Sequence, residues 1–64
     1  MNVSIEREIK RLERLGERVE VNDNEIVIHN EIVPSYVVNA LVERIKKADT
    51  DDRYKVTVKN QSKR

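Results

Sequence analysis

The chain contains no cysteine, tryptophan or phenylalanine, and only one glycine, one proline and one histidine among its 64 residues. Without cysteine it has no disulfide, no thiolate metal site and no thiol nucleophile. A single imidazole leaves soft-metal chemistry without a ligand set. A single glycine cannot build a Gly-rich phosphate loop. No apolar run approaches the ~18 residues that a membrane span needs. The N-terminal segment carries Glu6, Arg7, Glu8 and Lys10 among its apolar residues, which is not the pattern of a signal peptide. The expectation is a cytoplasmic protein, or one made by soluble recombinant expression, neither secreted nor membrane-bound.

What is present is aliphatic and charged. Hydrophobic residues make up 38% of the chain, enough for a compact core and too many for a disordered segment. The chain is short enough to form one small domain, near the size where one core gives marginal stability. Charged residues reach 39%, but the two signs nearly cancel, and a net charge of +1 is far from a nucleic-acid footprint. Acidic groups gather between residues 17 and 30, and basic ones at both ends.

Ile5, Ile9, Leu12 and Leu15 mark one face of a helix over about 4–15. Ser4 stands where an N-cap would, and Gly16 where a left-handed C′ residue belongs. Glu6–Lys10, Glu8–Arg11 and Lys10–Glu13 have the spacing of intrahelical charge pairs. Arg18-Val19-Glu20-Val21 and Glu25-Ile26-Val27-Ile28 alternate as strands, over about 18–22 and 25–29. A two-residue turn at Asp23-Asn24 would pair Val21 with Ile26 and Val19 with Ile28, with all four on one face. Asp and Asn are the residue types that best replace Gly at positive φ in such a turn.

A second helix is expected over about 34–48, opened by Pro34 or Ser35. Its stripe is Val37, Val38, Leu41, Val42 and Ile45, and its β-branched residues must be held by burial. If Pro34 is the first helical residue, Ile32 and Val37 take the positions of a hydrophobic staple. Tyr54, Val56 and Val58 alternate with Lys55, Thr57 and Lys59 in a third strand over about 54–59. Residues 60–64 read as a flexible tail.

These elements define an α+β fold: a two-layer αββαβ sandwich with two helices on one face of a three-stranded sheet. The crossover from the second strand to the third sets those two parallel. The expected strand order is 2-1-3, with the first strand central. The expected core is Ile5, Ile9, Leu12, Leu15, Val19, Val21, Ile26, Ile28, Val37 or Val38, Leu41, Ile45, Tyr54, Val56 and Val58.

The search for chemistry yields no catalytic, cofactor-binding or metal site. In the hairpin register His29 points to the solvent face beside Arg18, and reads as a surface histidine at a strand end. Asp49, Asp51 and Asp52 fail the calcium-loop pattern, because the sixth position is Tyr54 and the twelfth Asn60. They read as a solvated connector. The expected outer sheet face (Arg18, Glu20, Asn22, Glu25, Val27, His29, Lys55, Thr57 and Lys59) has no aromatic on which bases could stack. Arg7, Lys10, Arg11 and Arg14 form a basic stripe on the first helix, interrupted by Glu6 and Glu13.

The alternation in RVEV and YKVTV, the charge-paired helix IEREIKRLERLG and the lack of cysteine resemble de novo designed two-layer α/β mini-proteins of αββαβ order. The resemblance is one of architecture, covers about residues 4–59 and carries over no functional residue. Asp-Asn stands where such designs place glycine in the turn, and Val37, Val38, Val42 and Ile45 put four β-branched residues in the second helix. The expected function is that of a small, autonomously folding scaffold without catalytic activity, a designed protein needing no cofactor and no partner. The alternative is a natural protein–protein interaction module, homodimeric through a sheet edge or the second helix. A weak nucleic-acid-binding domain stands third.

Overall fold

The computed structural model describes residues 2–60. The elements run α1 (Val3–Arg14), β1 (Arg18–Val21), β2 (Glu25–Asn30), α2 (Ser35–Ala48) and β3 (Lys55–Asn60). All five expected elements are present. Residues 61–64 of the expected tail lie outside the described residues, while Asn60 ends β3.

The N-cap of α1 is Asn2 rather than Ser4: the Asn2 side chain accepts from the Ile5 N–H at 2.9 Å. The asparagine sits in extended backbone, where its short side chain reaches a free N–H in the first turn of the helix. At the other end Gly16 takes φ +96°. The Gly16 N–H donates to the Glu13 carbonyl at 3.0 Å, and the Glu17 N–H to the Leu12 carbonyl at 3.1 Å. These two bonds are a Schellman motif, closing the helix on its one glycine.

The β1–β2 hairpin has the register read from the sequence: Arg18, Val19, Glu20 and Val21 oppose His29, Ile28, Val27 and Ile26. The turn spans Asp23-Asn24, and the Asn22 N–H donates to the Glu25 carbonyl at 2.8 Å. Positive φ is not used there. Among the described residues Asp52 is the one non-glycine in that region, at φ 55°.

The strand order is β1-β2-β3, which corrects the expected 2-1-3. β2 is central, and β3 lies parallel to it along six residues, from Glu25–Lys55 to Asn30–Asn60. The physical reason is visible in β2. Its Ile26-Val27-Ile28 run is apolar on both faces, which suits a strand flanked on both sides, whereas β1 is four residues long and alternates.

One core joins Ile5, Ile9 and Leu12 of α1, Val38, Leu41, Val42 and Ile45 of α2, and Ile26 and Ile28 of β2. Val19, Val37, Tyr54, Val56 and Val58 pack against it half-buried. Leu15 and Val21, expected in the core, are exposed. Leu15 is the C-cap, past the last buried turn, and Val21 ends an edge strand with a neighbour on one side only. Val27, expected on the solvent face, is 6% exposed. It lies between Glu20 and Thr57, whose side chains screen it.

Pro34 is the N-cap of α2, and its carbonyl accepts from Val37 and Val38. The staple positions therefore fall to Val33 and Val38, both in or against the core. Ile32 is 69% exposed instead. Its Cδ1 would lie 2.8 Å from a Cβ placed on Gly16.

Candidate functional site

The most constrained polar group is Glu17, which the sequence reading counted only as a charge. It is 3% exposed. The Schellman turn at Gly16 directs the chain so that Glu17 reaches the β2–α2 connection. Its Oε1 accepts from the Glu31 N–H at 2.8 Å, and its Oε2 from the Ile32 N–H at 3.1 Å and the Val33 N–H at 2.7 Å. Burial pushes the carboxyl upward, but the hydrogen bonds from Val33, Glu31 and Ile32 outweigh it and hold Glu17 below its ordinary value. The sequence carries no mark of this role, because the partners of Glu17 are backbone N–H groups 14 to 16 residues away.

The second buried carboxylate is Glu8 of α1. Its Oε1 lies 3.2 Å from Arg44 Nε of α2 and 3.9 Å from Arg11 Nε. The Glu8–Arg11 spacing was legible in the sequence. The tie to Arg44 across the helix pair was not, since it depends on how the two helices pack.

His29 lies on the sheet face away from the core, as expected, but it is not a surface residue: it is 9% exposed. The correction follows from the central position of β2, which flanks His29 with Arg18 on one side and Lys59 on the other. His29 Nε2 is 3.4 Å from Glu20 Oε2. On the same face the Thr57 hydroxyl donates to Glu25 Oε2 at 2.9 Å. At the far end of the sheet Asn30 Nδ2 donates to Asn60 Oδ1 at 3.0 Å.

Asp49, expected to be solvated, is a loop organiser. It caps the C-terminus of α2, and its two carboxylate oxygens accept from the Arg53 and Tyr54 N–H groups at 3.0 and 2.8 Å. Asn2, Ile5, Asp49, Thr50, Asp51, Arg53 and Tyr54 line a cavity of about 240 Å³ here. Asn2 Nδ2 donates to the Ala48 carbonyl at 2.8 Å. With both its oxygens engaged by backbone, Asp49 is turned toward its own loop, while Asp51 and Asp52 are exposed. Among the described residues no group of three His, Asp or Glu side chains is arranged to hold a metal ion. No helix among them is long and apolar enough to cross a membrane.

Arg7, Lys10, Arg11 and Arg14 line a shallow cleft of about 200 Å³ on the outer side of α1. No protein-family model, no curated protein and no solved structure matches this chain.

Proposed function

We propose that this chain is a small scaffold that folds on its own, a designed protein of two-layer αββαβ architecture without catalytic activity. The observation that carries this reading is Glu17, the buried carboxylate whose hydrogen bonds all go to the fold itself. Glu17 is engaged by three backbone N–H groups, Glu8 forms ion pairs with Arg44 and Arg11, and Asn30 Nδ2 donates to Asn60, while Glu8 Oε1 and Asn30 Oδ1 are buried without a hydrogen bond among the described residues. An active site needs such groups aimed at a substrate, whereas here they join one element of the fold to another. The designed origin draws support from agreement between local signal and fold. The Gly16 stop and the hairpin register each point to the same structure. Thermal unfolding combined with sedimentation tests the reading. A cooperative transition of a monomer, the same at low and high protein concentration, is the expected result.

The second reading is an interaction module. Ile32 and Tyr36, 69% and 75% exposed, favour it by placing apolar surface at the start of α2. A strand-pairing partner would meet β1 or β3, the two edges, and not the β2 edge that the 2-1-3 order offered. A melting temperature that rises with protein concentration selects this reading over the first.

A further inference from the structure

Helix α1 divides its charge between two sides. Ile5, Ile9 and Leu12 face the core, and Glu8 is buried with them. Glu8 is held by Arg44 and Arg11, and Glu17, just beyond the helix, is buried against the β2–α2 connection. Both carboxylates count toward the near-neutral total, yet Glu17 lies off the outer face of the helix and Glu8 offsets only Arg11 there. That face keeps Arg7, Lys10, Arg11 and Arg14, all exposed and all lining one cleft. Among the described residues Arg11 is the only one of the four with an ion pair within 4.0 Å. The spacing-matched pairs of Lys10 with Glu6 and Glu13 are not closed.

We infer that this face docks on the phosphate backbone of duplex nucleic acid without reading its sequence. From Arg7 to Arg14 the helix rises about 10 Å, at roughly 1.5 Å per residue. That length covers about three phosphates of one strand, spaced roughly 3.4 Å along the axis. Three guanidinium forks suit phosphate oxygens better than a row of ammonium groups would. A duplex fits better than a single strand, because the cleft holds no aromatic for base stacking. A bilayer fits worse, because the apolar side of α1 is already in the core and has nothing to insert.

Fluorescence anisotropy of a labelled DNA duplex, titrated with the full chain, tests the assignment. Affinity is expected to fall about 40-fold between about 50 and 200 mM salt, a slope near −2.7 for roughly three phosphate contacts. Two duplexes of unrelated sequence should bind alike. The triple variant Arg7→Gln, Lys10→Gln, Arg14→Gln should weaken binding at least about tenfold and flatten the slope to about −1, with thermal unfolding unchanged. The double variant Lys46→Gln, Lys47→Gln on α2 should bind as the parent does. The inference is overturned by equal binding of parent and triple variant, or by equal losses in the triple and double variants. Equal affinity for polyglutamate or anionic vesicles, or no binding at the lower salt, overturns it as well.

Discussion

Glu17 is the side chain whose replacement discriminates most sharply. Glu17→Gln keeps the shape but turns an N–H₂ group toward backbone donors, leaving at least one buried N–H unpaired. The expected loss is roughly 2–4 kcal/mol, measured by urea unfolding. The pH dependence has a definite sign. The folded-state value of Glu17 is lowered, so its contribution is fully present above the unfolded-state value of about 4.3. It is lost as pH falls from there through the lower folded-state value. Acid titration of unfolding should therefore show a steeper loss below about pH 4.3 in the parent than in Glu17→Gln. Parallel curves would remove the carboxylate from the account. Gly16 offers a second test at this scale. Its φ of +96° disfavours any side chain, and a new Cβ would lie 2.8 Å from Ile32 Cδ1. Gly16→Ala should cost about 1–2 kcal/mol, and adding Ile32→Ala should relieve the contact without removing the backbone strain. The glycine was legible because a helix stop is a local signal. Glu17 was not, because its partners lie 14 to 16 residues away and are backbone, which carries no sequence mark.

The elements show the same division between local and non-local information. Hairpin register could be derived on paper, since a one-residue slip would carry Val19, Val21, Ile26 and Ile28 to the wrong face. Strand order could not be derived from alternation, because β3 after a helical crossover can join either side of a hairpin. The deciding feature was Val27 between Ile26 and Ile28, a continuous apolar run that suits a strand flanked by neighbours on both sides. The same feature hid His29, whose burial comes from β3 rather than from anything in β2. Val27→Ala is the corresponding test. Beside Thr57 in the centre of the sheet it should cost about 1–2 kcal/mol, whereas an exposed position would stay within about 0.5 kcal/mol. Asp49 belongs to this scale too, since it sets how α2 passes into β3. Asp49→Ala removes the acceptor for two N–H groups, and roughly 1–2 kcal/mol of stability should go with it. Amide exchange at Arg53 and Tyr54 should then rise before that of α2 does.

At the scale of the whole molecule, stability rests on a core of nine buried aliphatic residues among the described residues of a 64-residue chain. Ile28→Ala, at a position with no solvent exposure, should cost roughly 2–5 kcal/mol. That is a large share of the total available to a domain of this size. Calorimetry showing Ile28→Ala melting within a degree of the parent would contradict the core assignment. Glu17 has a further consequence in a chain without cysteine. By holding residues 31–33 it closes the open end of the β1–β2 hairpin into a ring of about 15 residues, where a secreted protein could place a disulfide. Unlike a disulfide, this closure leaves the unfolded chain unconstrained and does not respond to reductant. The amides of Glu31, Ile32 and Val33 belong to no helix or strand, yet should exchange as slowly as those of β2. The ring opens with a proton instead of an electron pair.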